Sequence, residues 1–430
     1  MASFRAWFRR IIGATPEGPA AGPPPPVTAH SLPSISPSLA EAHNEFSLSL
    51  HEALASKWPA GSANVFFSPL SIRAAVGMTF AGARGETRAQ MSRTLRFHPA
   101  FDPVEKDASS AFADLLRALN EAGGARYEMV VASSLWSQVG APLLSGFLDL
   151  VARCYGGAAT LVDFRDAEAA CSAINDWIAE KTKGRIRDLI SAGGLGGDTR
   201  LVVVNAVYFK GMWALPFRRS ATRDEPFHVR SDHTVKAPLM HRKQEARYLQ
   251  AEGYQAVELA YQGGDLSMLV LLPDATDGLP ALEKGLTERV LRDTTARMLT
   301  QEVDIFLPRF RLTWGVVEMS ESLSLLGMPL AFERGKADFS GINGRVPPDE
   351  EALSISAILH KAFVEVNEEG TEAAAATAVE MVALSAASSP AKPPPVPIFR
   401  ADHPFLFAIR ERGSGAILFL GRVVDPTRKS

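Results

Sequence analysis

The stretch from Glu368 to Leu384 constrains the fold more than any other part of the chain. It reads Glu-Glu-Gly-Thr-Glu-Ala-Ala-Ala-Ala-Thr-Ala-Val-Glu-Met-Val-Ala-Leu. Alanine is the best helix former, so propensity alone favours a helix. Yet the stretch directly extends Ala362-Phe-Val-Glu-Val366, which has strand composition. Read with period two, Thr371, Ala373, Ala375, Thr377, Val379 and Met381 share one side, and all are small or apolar. Both charges, Glu372 and Glu380, fall on the other side. No proline occurs from 367 to 389, so every residue there can donate to a sheet ladder. The same residues can therefore form a helix or loop, or a strand with one buried face. Period alone leaves both readings open, because the two glutamates also share a helical sector. The flank weighs against the helix. Ser385 to Pro397 holds five prolines, so an ordered helix would have to end in a long exposed arm. Long irregular segments in compact domains are usually functional or disordered.

The rest of the chain reads as a large α+β body. Forty-six percent of its 430 residues are hydrophobic, enough for a sizeable core. Eight of the 29 prolines fall between Pro16 and Pro37, so residues 1–39 are expected to form a disordered, proline-rich arm. Phe4 to Ile12 is basic and amphipathic, but no apolar stretch of signal-peptide length follows, and a standard secretion signal is not expected. A folded body is expected from residue 40 to 430. Ser68 fits a helix N-cap and Pro69 the first helical position, for a helix Leu70 to Phe80 closing at Gly82. A further helix is expected from Ala169 to Lys183, stopped by Gly184. Strands are expected at Leu201–Phe209, which is apolar on both faces, and at Leu266–Leu272, Val303–Leu312, Ala362–Val366, Phe405–Ile409 and Ala416–Val424. Helices dominate the first half and strands the second, without regular βαβ alternation.

Charge and motifs exclude several function classes. Forty-five Lys and Arg balance 48 Asp and Glu, for a net charge of −3, so massed phosphate contacts with nucleic acid are not expected. No apolar run reaches the length of a membrane span. Cys154 and Cys171 are expected to be separate buried thiols, too few for a disulfide scaffold or a four-ligand zinc site. No metal or cofactor is expected. The chain contains no G-x-S-x-G, G-x-G-x-x-G, phosphate-loop or H-E-x-x-H motif, which lowers the case for a hydrolase without excluding a non-local triad. Arg88, Arg93 and Arg96 read as a solvated helix face.

From about Ala40 to Pro426 the chain resembles the serpin family. The matching stretches include Asn64–Ile72, Gly82–Thr87, Ile174–Ile186, Val204–Trp213, Leu307–Phe310, Ala337–Ile342, His360–Ala362, Glu368–Thr377 and Gly421–Pro426. Their joint order and spacing are far more specific than any one of them. The resemblance implies a serpin fold of three β-sheets and eight or nine helices, with an exposed reactive-centre loop at about 368–403. It implies a suicide-substrate inhibitor of serine proteases, not an enzyme. A protease attacks the loop, forms a covalent acyl-enzyme, and is trapped when the cut loop inserts into the central sheet; strand insertion of this kind is a known recognition mode. The active state would be a monomer without a membrane span. The resemblance places it outside the cell or in the periplasm, with the cytoplasm as the alternative.

The resemblance also assigns residues. The hinge is Glu368, Glu369, Gly370, Thr371, Glu372, Ala373, Ala374, Ala375, Ala376 and Thr377, whose small side chains suit insertion. Counting along the family's register from Glu368 puts the reactive bond at Leu384–Ser385. Leucine before the bond suits a chymotrypsin- or subtilisin-like target, and Val382 and Ala383 also admit an elastase-like one. Ser68, Ser71, Asn205 and His360 match a polar gate beneath the opening sheet, and Trp213 matches a tryptophan near the point where insertion starts. A buried Asn and His must in any case be hydrogen-bonded. The stretch from Leu384 to Pro404 is longer and richer in proline than the family pattern. The competing readings are a non-inhibitory serpin acting as carrier, chaperone or structural partner, and an unrelated hydrolase.

Overall fold

A computed structural model describes residues 35–58, 62–97, 118–119, 127–140, 143–155, 158–191, 193–371 and 395–428. The first helix, α1 (Pro37–Lys57), begins earlier than the expected border at residue 40. Ser36 caps it by accepting a hydrogen bond from the Leu39 N–H at 3.3 Å, and Pro37 takes the first turn. Strand β1 (Val65–Phe67) leads into α2 (Pro69–Gly82), capped by Ser68 as expected. Every residue of α2 is buried. It touches strands of both sheets, which explains why its apolar character runs all the way round. Then follow α3 (Gly85–Thr94), β2 (Tyr127–Gln138), α4 (Ser145–Tyr155), β3 (Ala158–Val162) and α5 (Ala167–Lys181). Asp166 caps α5, and the left-handed Lys183 and Gly184, at φ +52° and +75°, end it.

The strands come next: β4 (Leu201–Met212), β5 (Arg223–Arg230), β6 (His233–Gln250), β7 (Tyr254–Ala260) and β8 (Leu266–Pro273). Helices α6 (Leu279–Gly285) and α7 (Glu288–Arg297) separate them from β9 (Leu299–Pro308) and β10 (Phe310–Glu318). Here the expected single strand Val303–Leu312 proves to be two, parted at Arg309 just after a proline that cannot donate to a ladder. The two halves enter different sheets. Short helices α8 (Ser320–Leu325) and α9 (Ser340–Asn343) precede β11 (Ile355–Asn367) and β12 (Gly370–Thr371). The chain ends with β13 (Ile398–Arg400), β14 (Phe405–Glu411) and β15 (Ile417–Val423).

One sheet runs β10-β11-β12-β4-β2-β3, and the other β1-β15-β14-β8-β7-β6-β9-β13 with β5 on β6. The three sheets implied by the resemblance thus form two hydrogen-bonded ladders among the described residues. The long strand β6 joins the second and third: it pairs with β5 near its start and with β7 at its end. The expected loop range also narrows. Ile398–Arg400 pairs in parallel with Asp304–Phe306, and Phe399 is fully buried. No described helix is long and apolar enough to cross a membrane. Cys154 and Cys171 are free and buried, as expected.

Candidate functional site

The six-stranded sheet contains a slot. Its central strands β4 and β11 pair directly and in parallel, from Leu201 with Ile355 to Tyr208 with Phe363. Above that point they part, and β12 lies between them. Thr371 pairs with Gly211 of β4 and with Val366 of β11; Gly370 pairs with Met212 and Asn367. Both β12 contacts are antiparallel. The first two residues of the alanine-rich segment's strand reading are therefore already in the sheet, and not in an exposed loop as expected. Glycine is required at 370: its φ is +149°, and a Cβ there would lie 2.1 Å from the Gly211 carbonyl oxygen.

Several bonds pin the turn that feeds this strand. The Asn367 side-chain oxygen accepts the N–H groups of Glu369 and Gly370, at 3.0 and 3.3 Å. The Glu369 carbonyl accepts the Trp213 N–H at 2.9 Å, and the Glu368 carbonyl accepts the Phe217 N–H at 2.7 Å. The Trp213 indole donates to the Asn367 carbonyl at 3.0 Å and stacks on Tyr261 at 4.7 Å. The Tyr261 and Thr371 hydroxyls are 2.8 Å apart. Glu368 is buried, and accepts from Thr222 at 2.6 Å and from Arg309. Burial opposes its ionisation, but these two donors outweigh it and hold the carboxyl below its usual range. Glu369 pairs with Arg219 at 2.5 Å.

Below the slot lies a polar cluster that no solvent reaches. Ser68, Ser71, Asn205 and His360 are all fully buried. The Asn205 side-chain oxygen accepts from the Ser71 hydroxyl at 2.8 Å and from His360 Nδ1 at 2.6 Å. Its amide donates to the Ser133 hydroxyl at 2.9 Å. The Ser68 N–H donates to His360 Nε2 at 3.3 Å, and the Ser68 hydroxyl to the Leu418 carbonyl at 2.7 Å. A backbone N–H can only donate, so Nε2 accepts and the ring proton sits on Nδ1. The ring is neutral: burial pushes its pKa down to about 3. Asn205 and His360 face each other in the β4–β11 ladder, so the cluster spans the seam that insertion would open.

The structure thus brings Ser68, Ser71, Asn205 and His360 together, and separately joins Trp213 to Glu368, Glu369, Gly370 and Thr371. Glu372, Ala373, Ala374, Ala375, Ala376, Thr377, Leu384 and Ser385 lie outside the described residues. The sequence reading missed Tyr261, Thr222, Arg309 and Ser133. Only Arg309 had a signal, since it falls in the Leu307–Phe310 stretch that carries the family resemblance; Ser133 meets Asn205 through the pairing of β2 with β4. On the other arginines, Arg93 pairs with Glu86 at 2.8 Å and Arg88 covers the Phe80 ring at 4.1 Å, as a helix face does. Among the described residues no cluster of His, Cys, Asp or Glu could hold a metal ion.

A split sheet with a chain segment entering its top defines a fold built for strand insertion. A family model described as Serpin (serine protease inhibitor) matches residues 41–426. The leukocyte elastase inhibitor of Equus caballus is 40% identical over 398 residues, covering 90% of this chain and 99% of that protein. Serpin B6 of Pongo abelii is 39% identical over 393 residues, covering 90% and 99%. The crystal structure of uncleaved ovalbumin superposes with a TM-score of 0.79 at 28% identity, covering 90% of this chain and 99% of that one. The chain belongs to the serpin family. It is a serine protease inhibitor of the loop-insertion type and not an enzyme.

Proposed function

We propose that Leu384–Ser385 is the bait bond and that the residues after Thr371 are the strand that enters the slot. The target's serine hydroxyl attacks the Leu384 carbonyl. The peptide bond breaks, the Ser385 amine leaves with a proton, and Leu384 remains as an ester on the enzyme. The freed strand then continues β12 downward between β4 and β11 and carries the acylated enzyme with it. The observation that carries this reading is the position of Thr371, already paired with both Gly211 and Val366.

The energetics support it. Insertion gives up one parallel ladder between β4 and β11 and forms two antiparallel ones, which are slightly more stable per residue. At about 0.5–1.5 kcal/mol net per hydrogen bond, one extra ladder of about ten residues contributes on the order of ten kcal/mol. That is comparable with the whole stability of a domain, so the uncut form is metastable. The residues on the Thr371 side of the strand, Ala373 to Met381 at alternate positions, are small or apolar and fit the buried face that Thr371 occupies. Ser68, Ser71, Asn205 and His360 act as the gate, since a few directional bonds separate more readily than a tight apolar seam.

The target is chymotrypsin-, elastase- or subtilisin-like. Leu384, Ala383 and Val382 suit such pockets, and the name of the Equus caballus relative supports the elastase type. The inhibitor acts as a monomer through a covalent complex. Its fold contains two free cysteines and no disulfide among the described residues, so it needs no oxidising compartment, which favours the cytoplasmic placement. Mixing the protein with elastase or chymotrypsin tests the reading. An SDS-stable complex, with a released fragment beginning at Ser385, is expected. Cleavage without any complex, and without a rise in the thermal midpoint of the nicked chain, would make it a non-inhibitory member.

A further inference from the structure

At the foot of the same sheet lies a polar cavity of about 270 Å³. It is lined by Gly197 and Arg200, which lead into β4, and by Glu350, Glu351 and Leu353, which lead into β11. Arg165 and Arg334 complete its charged rim. Most of these charges are matched. Arg165 holds Asp163 at 2.7 Å, Arg334 holds Asp198 at 3.4 Å, and Glu351 holds Arg345 at 2.9 Å. Arg200 differs. Its guanidinium donates only to backbone carbonyls, those of Gly197 at 2.9 Å and Thr199 at 3.1 Å, and it has no carboxylate partner among the described residues.

The β12 register says what would arrive there. Thr371 pairs with Gly211 and with Val366, and each further residue of an antiparallel strand moves one position down each neighbour. Residue 381 then reaches Leu201, the first residue of β4. Residue 384 falls just beyond the strand, opposite Asp198 and Leu353. Thr371 points at Tyr261, so the even-numbered Leu384 points to the opposite side of the sheet, where α5 packs on Val202, Val204 and Leu359. The Arg200 N–H now donates to the Ser356 hydroxyl at 2.9 Å, a bond across the foot of β4 and β11 that an incoming strand would break.

We propose that this cavity receives the carboxylate that hydrolysis leaves on Leu384, with Arg200 as its cation; the proposal rests on the loop-insertion reading above. Water attacks the ester carbonyl, the protease serine regains its hydroxyl, and Leu384 keeps a carboxylate while one proton passes to solvent. Arg200 then exchanges carbonyl partners for a charged one. A charge-assisted hydrogen bond at this half-open site is worth about tenfold in affinity, the lower end of its range.

The test uses two acetylated peptides of residues 372–384, one with a free C-terminal carboxylate and one with an amide. Each is annealed into the uncleaved protein and into its Arg200→Gln and Arg200→Lys variants, and binding is read from the rise in thermal midpoint. The acid peptide should bind about tenfold tighter than the amide to the wild type and to Arg200→Lys, and equally to Arg200→Gln. An acid peptide ending at Ala383 or Ser385 should lose most of the preference. Equal binding of acid and amide to the wild type overturns the carboxylate site while leaving insertion intact. So does a preference that survives in Arg200→Gln. Failure of both peptides to bind, together with an unchanged midpoint on nicking, sinks loop insertion itself.

Discussion

The hydroxyls of Thr371 and Tyr261 lie 2.8 Å apart, and neither side chain reaches solvent. Position 371 is therefore a closed seat before any protease arrives, and everything that inserts later must follow through it. An arginine there would have to bury an uncompensated charge against a phenol, at a cost of several kcal/mol. Thr371→Arg is expected to leave the bait bond cleavable and to abolish trapping. Titration against the target should show turnover of the inhibitor without an SDS-stable complex. Thr371→Ser, which keeps the hydroxyl, should still form one.

Asn205 bridges three elements through Ser71, His360 and Ser133. Asn205→Ala removes the common partner, leaves the His360 Nδ1–H unpaired in a buried site and takes from the Ser71 hydroxyl its shorter bond, leaving only the one to the Ser68 carbonyl at 3.2 Å. An orphaned group costs about 1–3 kcal/mol. The variant should lose about 2–4 kcal/mol of unfolding free energy in the uncleaved form, on the same scale. A urea transition followed by circular dichroism would show this as a lower midpoint at an unchanged slope.

His360 makes the buried polar cluster acid-sensitive. Burial holds its pKa at about 3, against about 6.5 in the unfolded chain. Between those values the unfolded state binds the proton and the folded state does not, so stability falls as pH drops. The contribution is complete above about pH 6.5 and is lost progressively down to about 3, by up to about 5 kcal/mol. His43 on α1 is also buried, with a pKa pushed to about 3 by burial and by nearby Arg73, so it adds in the same direction. Protonated His360 would also turn an N–H toward the N–H of Ser68. The thermal midpoint of the uncleaved protein should decline steadily from pH 6.5 to pH 4. His360→Gln should flatten part of that slope, and a profile identical to wild type would remove His360 from the account.

The sequence made the strands of the sheet legible through local pattern, whereas the grouping of Ser68, Ser71, Asn205 and His360 came from the family resemblance. The run Leu201 to Phe209 is apolar on both faces, and a lone Asn205 inside it calls for a buried partner. Ser68 and Pro69 announce the start of α2 by capping chemistry alone. Tyr261, Thr222 and Ser133 were not legible, because their roles arise from contacts between distant residues. The break at Arg309 was hidden for a related reason. Val303 to Leu312 keeps one composition throughout, while the two strands diverge into different ladders. The early entry of Gly370 and Thr371 into the sheet had no period or propensity signal, since it depends on where β4 and β11 part.

That entry depends on Gly370, and the dependence can be tested directly. Its φ of +149° suits only glycine, and a Cβ would lie 2.1 Å from the Gly211 oxygen and 2.6 Å from the Met212 Cα. Backbone atoms of the neighbouring strand cannot give way as a flexible side chain can. Gly370→Ala therefore adds a clash to a backbone strain of about 1–3 kcal/mol. The expected result is that residues 370 and 371 leave the slot while the β4–β11 ladder below stays closed, since its own bonds are untouched. Amide exchange of Gly211, Met212 and Thr371 should then speed up, and that of Val203 to Val207 should not. Trapping should become less efficient, because the severed strand would start from outside the sheet. Unchanged exchange at Met212 would mean that the hinge is not held by this glycine.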